Sequence, residues 1–593
     1  MKKKSFQQKE WNLKDLLPAH KGKDFENYIK SLDKAVLSFE AKRKELKNTI
    51  TPNKFVEIIR LYEKIKYDSG KIFVYAQLWF SQDTKSEEAR VFKAKIHQYD
   101  AELDNRVLFF SLWFKSLDEK TAKALIKATP KYSYFLERVR MFKPYTLSEA
   151  EEKILTIKEV TEREALHSLY KIITSGMMYD LELNGKILKL NRSQLTSYAR
   201  HKDEKIRERV YTSLFTTFSE NKDVLGEIYK NLILSWKNEN VQLRKYPEPI
   251  SPRNLGNNIS DKAVDAMLSA CKKNASSFQK YFKIKAKLLR VKKLKRESVY
   301  APIEGKERDI PYNDAINLVL EAYGDFSPEM ARLARKVIEQ DHIDSKIRDT
   351  KVAGAFCYDC APGITPYVLV NYTGKERDVT TIAHELGHAV HDLLSHKNVL
   401  LQSHPPLVLA ETASVFGEML MTEMLFIQEK DPKLKQALIA SKLDDFYATI
   451  QRQAFFVLFE MKAHEAIEKG ATLEEISQLW LQSLKQQFGD SVEVSGQFKY
   501  EWLTIPHIYE SPFYCYSYPF GNLLTLALYQ MYKEQGKNFV PKYIKFLSYG
   551  GSQEPKKICA ELGIDVESEE FWEKGFKYID TLVKDLEESM IKL

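Results

Sequence analysis

Cysteine is scarce in this chain. There are five in 593 residues, an odd number and too few for a disulfide framework. Cys357 and Cys360 form a CxxC, but no second pair completes a structural zinc site, and a redox pair is the lesser reading. Long hydrophobic runs are also missing. The longest uncharged stretch, Ser511 to Tyr532, is interrupted by Pro519, Gly521, Asn522 and Gln530, which argues against a membrane span. Met1-Lys2-Lys3-Lys4 starts like a signal peptide, yet the polar Gln7 to Lys14 supplies no apolar segment after it. Charge of one sign is weak as well: 91 basic against 82 acidic residues leave a formal net charge of +9. That is a mild bias, enough to favour acidic peptides slightly. The densest basic run, Lys283 to Arg296, is interleaved with leucines and a valine. It reads as a solvated amphipathic helix before it reads as a nucleic-acid surface. Repeats and low-complexity tracts are absent. What remains is a cytoplasmic globular protein, long enough for several cores, with neither a membrane nor a nucleic acid expected as partner.

Histidine is sparse too, with 12 in the chain, which makes one cluster stand out. His384-Glu385-Leu386-Gly387-His388 lies inside an apolar-periodic segment, Val379 to His396, with Asp378 as its expected N-cap. On a helix the two histidines share a face, about 6 Å apart at Cβ, and can hold one Zn²⁺ from consecutive turns. Glu385 lies one step round, beside the metal and not bound to it, where it can take a proton from the attacking water. Gly387 violates helix propensity, at about 1 kcal/mol against Ala. Keeping it there suggests that something packs very close to the backbone. The bland alternative is a buried helix with two satisfied core histidines.

A zinc site needs a third protein ligand. Leu394 stands where the long HExxHxxGxxH motif has its third His, and His391 where it has its Gly, so that arrangement is excluded. His391 is left with two readings, support behind a ligand or core packing. Glu411 is the better third ligand. It lies in a second apolar helical stretch, about Leu407 to Phe426, after a turn at His404-Pro405-Pro406. Glu411, Ser414 and Glu418 fall on one face of it. Glu418 either orients a ligand imidazole from outside or is an ordinary solvated acid. His404 is a remote alternative ligand, and Met419, Met421 and Met424 read as core filler.

Along the chain, residues 24–47, 52–69 and 87–117 carry helical spacing. Ser148 with Glu151 makes a capping box. Leu181 to Leu188, turning at Asn184-Gly185, is the clearest hairpin signal. It divides the sequence into an N-terminal helical lobe, residues 1–195, and a second part, residues 196–593. A loop follows at Tyr246 to Ser260, then short strands around Ser298 to Tyr312 and Ala353 to Tyr372, then helices again. Gly354 and Ala355 are small enough to let a peptide backbone approach and pair as an added strand, although a plain structural hairpin reads equally well. The expected fold is mainly α, two helical lobes flanking a cleft, with a small β-sheet next to the HExxH helix.

The motif, the Ala-Val-His that follows it and Ala410-Glu411-Thr412-Ala413-Ser414 together resemble the oligoendopeptidase F family of thimet-oligopeptidase-like zinc metallopeptidases. Gly354-Ala355-Phe356-Cys357, Pro366 to Tyr372, His507 with Pro512 to Tyr518, Gly550-Gly551-Ser552, Phe571-Trp572 and Trp11 to Pro18 support the likeness. It is strongest from about Ala353 to Gly521. The resemblance implies a deep channel, one catalytic zinc and cleavage inside short, unstructured peptides. It places the metal ligands at His384, His388 and Glu411, the general base at Glu385 and the transition-state-stabilising pair at His507 and Tyr518. Tyr509, Tyr514 and Tyr516 compete with Tyr518, and Tyr514 and Tyr516 join Gly354 and Ala355 as candidate substrate contacts. The expected activity is zinc-dependent endopeptidase action on oligopeptides through a zinc-activated water. The alternative is a zinc carboxypeptidase or dipeptidyl carboxypeptidase with the same active-site type, although no cationic pocket for a free carboxylate can be picked out. A peptide-binding protein without catalysis has no use for Glu385. Oligomeric state is left open.

Overall fold

The computed structural model describes residues 5–303 and 308–591. The Lys-rich start at residues 1–4 lies outside them, as do residues 304–307. Among the described residues the chain is mostly helical, with three small sheets. It divides into two compact units. One gathers Met1–Lys143, Glu307–Ile427 and Met531–Ile564; the other gathers Pro144–Lys306, Gln428–Gln530 and Asp565–Leu593. The boundary expected at residue 195 is therefore not where compactness divides the chain. Among the described residues no helix is long and apolar enough to cross a membrane.

In the second unit, strands β1 (Tyr179–Leu183) and β2 (Lys186–Leu190) pair antiparallel. Asn184 and Gly185 turn between them with φ of 50° and 74°, the double left-handed turn for which Asn-Gly is suited. The Ser148–Glu151 capping box is present at the start of helix Glu149–Thr161. The strands expected around Ser298 to Tyr312 fall elsewhere: β3 is Leu294–Lys295, and Arg296–Ser298 is already a tight helical turn. The basic run also needs correcting. Lys285 is fully buried, with Nζ 2.6 Å from Asp444 Oδ2, and Arg296 is buried 2.5 Å from Glu501. Lys283 meets Asp490, and Lys295 meets Glu204 and Glu208. Much of the run is spent on internal ion pairs, which one-dimensional spacing cannot reveal.

The first unit holds a three-stranded sheet in the order β4-β6-β5, from β4 (Ile343–Asp344), β5 (Phe356–Tyr358) and β6 (Tyr367–Leu369). β5 runs antiparallel to β6 at the sheet edge, and β4 runs parallel to β6. The sheet lies next to the helix that carries the HExxH motif, as expected. A remaining two-residue strand, β7 (Val492–Glu493), pairs with β3 in the second unit. The N-terminal segment braces the central sheet. Trp11 is buried against Phe356 and edge-on to Tyr367, and Tyr367 donates its hydroxyl to Asn12 O at 3.2 Å. Cys360, Leu16 and Leu78 close the same apolar cluster. All five cysteines are free thiols.

Candidate metal centre

The motif helix runs Glu376–Ser395, with one turn of charged residues before its buried apolar stripe begins at Val379. Its start lies earlier than the expected N-cap. Asp378 sits in the first turn, and its Oδ2 accepts the backbone N–H of Thr373 at 2.7 Å and of Lys375 at 3.1 Å. The carboxylate thus satisfies donors just ahead of the helix and complements the dipole. The return helix runs Leu407–Gln428 and is buried along most of its length. Such a helix must be apolar nearly all round, and its exceptions carry the chemistry.

Gly387 explains how the two helices meet. A Cβ at this position would lie 2.6 Å from Ser414 Cα and would collide with the carbonyl oxygen of Ala413. Gly417 makes the reciprocal contact. A Cβ there would sit 3.0 Å from Ala383 O and would strike the hydroxyl of Tyr323, which itself donates to Ala383 O. Two glycines, one per helix, let the backbones approach more closely than any side chain allows.

That approach brings three donor atoms together. Glu411 Oε2 lies 3.4 Å from His384 Nε2 and 3.5 Å from His388 Nε2. Donors held tetrahedrally at about 2.0–2.1 Å from a zinc ion are separated by roughly 3.3–3.4 Å, so the set fits such an ion with little movement. The support behind it also fits. Glu418 Oε2 lies 3.3 Å from His384 Nδ1. A carboxylate only accepts, so Nδ1 carries a proton toward Glu418, and Nε2 is the ring nitrogen that faces Glu411 and would bind a metal. Ser414 Oγ donates to Glu411 Oε2 at 2.6 Å. Glu418 is thus an orienting acid and not a solvated one.

Electrostatics favour positive charge among these groups. Burial lowers the affinity of both imidazoles for protons. At His384 the Glu418 hydrogen bond and the Glu411 charge outweigh burial and raise the pKa to about 9. At His388 burial wins and the pKa falls well below the ordinary value. The site therefore keeps one proton where a cation could sit. Burial raises the Glu385 carboxyl to about 7, with His384 opposing; Glu411 and Glu418 add to the rise, and the backbone N–H of Cys357 moderates it. A base poised near neutrality suits proton transfer at physiological pH. His391 is buried against the backbone of Ala410 and Leu547, which favours its core-packing reading.

The other expected residues are placed as follows. Gly354 has φ of 86° with open space around the position a Cβ would take. It is glycine for its backbone conformation and not for close approach. Its carbonyl accepts from Asn371 Nδ2 at 2.9 Å. Ala355 precedes the edge strand β5. In the second unit, His507, Tyr514 and Tyr518 form a ring cluster. His507 stacks on Tyr514 with centroids 6.1 Å apart, and Tyr518 stands edge-on to both. Tyr516 does not fit a substrate contact: it is buried and its hydroxyl accepts from Asn257 Nδ2 at 2.8 Å. Tyr509 is likewise buried, stacked on Tyr170 with its hydroxyl toward Leu225 O. Burial removes two of the competing tyrosines.

The profile of peptidase family M3 matches residues 197–578, and that of oligopeptidase F matches residues 113–179. The chain belongs to peptidase family M3. As a member of this family it is a metal-dependent endopeptidase of the oligopeptidase kind. An oligoendopeptidase F homolog from Borreliella burgdorferi is 28% identical over 91% of this chain and 92% of its own. The crystal structure of a Chlamydophila abortus protein superposes with a TM-score of 0.87 at 23% identity, covering 98% of both chains. Oligoendopeptidase-F from Enterococcus faecium gives 0.72 at 21% identity, covering 96% of this chain and 99% of that one. The M3 match spans the motif helix, the return helix and the His507–Tyr518 segment, so the geometry above lies inside the family's own region. Sequence reasoning missed the buried acid Glu460, which holds the turn before Tyr514 by accepting the Phe513 N–H at 2.8 Å. Nothing local marks it, because its partner is distant in sequence.

Proposed function

We propose that this M3 peptidase is a zinc-dependent endopeptidase that hydrolyses internal bonds of short, unstructured oligopeptides. His384, His388 and Glu411 would hold one catalytic zinc, and Glu385 would be the general base. The observation that carries this reading is the convergence of two imidazole nitrogens on one Glu411 oxygen beside a buried carboxyl near pKa 7. Zinc bound there would supply Lewis acidity toward the scissile carbonyl and the attacking water. The chain's own groups handle the protons. Glu385 takes one from the water as it adds to the carbonyl carbon, and gives it to the leaving amine nitrogen as the C–N bond breaks. The nearby Cys357 N–H favours the ionised form of that carboxyl, and Glu418 fixes the His384 proton on Nδ1.

His507 and Tyr518 are proposed to donate to the oxygen that becomes negative, an effect of about 10²–10³-fold per donor. Tyr514, stacked on His507, is retained as a substrate contact, and the edge of β5 with Gly354 and Ala355 as a place for an added peptide strand. A channel that admits only flexible peptides and a cytoplasmic location belong to the same proposal, and so does a division at residue 195 into two sequence regions, 1–195 and 196–593, that do not fold separately. The family matches on either side of residue 195 support the last of these.

The test is a set of peptides of increasing length, blocked at both ends, offered to zinc-loaded wild type and to Glu385→Gln. Internal cleavage of blocked peptides is expected, with turnover at least about 10²-fold lower in the variant and its metal retained. Cleavage only of matched peptides with free ends, and of none that are blocked, would replace the endopeptidase reading with the carboxypeptidase one. Full activity in Glu385→Gln would remove the general base.

A further inference from the structure

Beyond the catalytic donors, the same helix carries a second set of ligand groups. Asp392 follows His388 by one turn, and His396 follows Asp392 by another. Asp359, in the loop after β5, is held by His396, whose Nε2 lies 3.0 and 3.1 Å from its two carboxylate oxygens. His404, in the loop that leads into the return helix, places Nδ1 3.7 Å from Asp359 Oδ2. One donor atom from each of Asp359, Asp392 and His404 lies within 4.8 Å of the others. None of these residues belongs to the catalytic set.

The placement is built into the fold. The N–H of Gly551 donates to Gln402 O at 3.0 Å. A Cβ at Gly551 would collide with the His404 carbonyl, and one at Gly550 would lie 2.7 Å from Ser395 Cβ. A glycine pair from far along the chain therefore seats the backbone of residues 402–404 against the end of the motif helix. The Asp359 side chain is 4% exposed. The Asp392 carboxylate has the Cys357 thiol as donor, at 3.9 Å, which is a weak one. Neither aspartate is within ion-pair distance of a lysine or arginine among the described residues. Two largely buried carboxylates this close either share a proton or take a cation between them.

We propose that Asp359, Asp392 and His404 form a second site for a divalent first-row cation of the Zn²⁺, Co²⁺ or Mn²⁺ kind, with His396 orienting Asp359 from behind. Two carboxylate oxygens and one imidazole nitrogen suit that class of ion, with water completing its shell. Donors at about 2.0–2.2 Å from an ion are at most roughly 4.4 Å apart. The His404–Asp359 spacing of 3.7 Å already lies inside that limit, and the half-exposed His404 ring can rotate to adjust the rest. A cation here ties together the loop after β5, the end of the motif helix and the entry to the return helix. Cys357 lies between the two sets, since its thiol faces Asp392 and its backbone N–H is close enough to Glu385 to lower that carboxyl's pKa.

The experiment counts zinc on the full chain, by calorimetric titration of metal-stripped protein and by elemental analysis after desalting. Wild type is expected to bind two equivalents. His404→Ala should bind one, with the second class weakened at least about tenfold, and should lose part of the zinc-induced rise in Tm. Asp392→Asn should do the same; if burial prevents it from folding, the half-exposed His404 still decides the matter. Glu411→Gln should keep the equivalent that His404→Ala loses. A single equivalent in wild type, or two in both wild type and His404→Ala, would overturn the second site. Either result leaves the catalytic proposal to stand or fall by Glu411→Gln and Glu385→Gln.

Discussion

Gly387 shows how much one residue decides. It is poor helix material between two histidines, and that cost made it conspicuous in the sequence. The structure supplies the reason: the Ala413–Ser414 backbone occupies the space a side chain would need. Gly387→Ala should therefore lower stability by about 1–3 kcal/mol, since backbone cannot give way as a side chain can. It should also weaken metal binding, because the helices separate where Glu411 meets the histidines. Thermal melting and a zinc titration check both effects. Glu460 is the contrary case, invisible in sequence. Burial raises its carboxyl to about 8, with the Phe513 N–H and Arg253 opposing. The folded chain then keeps a proton that the unfolded chain releases at ordinary carboxyl pH. Stability from this group is complete below about pH 4.5 and is lost as pH rises through about 8. Glu460→Gln keeps an acceptor for Phe513 and removes the titration. Its Tm should fall less than that of wild type between about pH 5 and 9, and it should melt higher at the alkaline end. Equal slopes for the two proteins would refute the assignment.

Elements were legible where their signals were local. The Asn184-Gly185 hairpin and the Ser148 capping box stand where spacing put them. The return helix starts at Leu407, as its prolines and apolar run implied. Where the signal was not local, reading failed. Lys285 looked like one of several solvated lysines, but its partner Asp444 is far along the chain. The strand expected near residue 298 is displaced to Leu294–Lys295 because it pairs with β7, two residues of a distant segment. The motif helix began a turn earlier than its apolar stripe, since Asp378 satisfies N–H groups ahead of it. Asp378→Ala should cost about 1 kcal/mol, in the range of a lost helix cap. A small drop in Tm with catalytic parameters unchanged is the expected reading; no change in Tm would show that the carboxylate is not needed there.

At the scale of the whole molecule the chain passes between the two units repeatedly, at residues 143/144, 306/307, 427/428, 530/531 and 564/565. Each unit buries its core with three separated segments, so no contiguous fragment contains either one. Residues 1–195 or 196–593 expressed alone should therefore fail to give a cooperative thermal transition, since each would lack part of both cores. A sharp melt from either fragment would restore residue 195 as a folding boundary. The sequence by itself determined the catalytic candidates His384, Glu385, His388 and Glu411, because helical periodicity and an HExxH spacing act over a few residues. Only the tertiary structure decided the glycine-mediated approach of the two helices, the burial of Tyr516, Lys285 and Glu460, and the meeting of Asp359, Asp392 and His404. Those depend on contacts between residues far apart in the chain, and such contacts are fixed by packing rather than by neighbours in sequence.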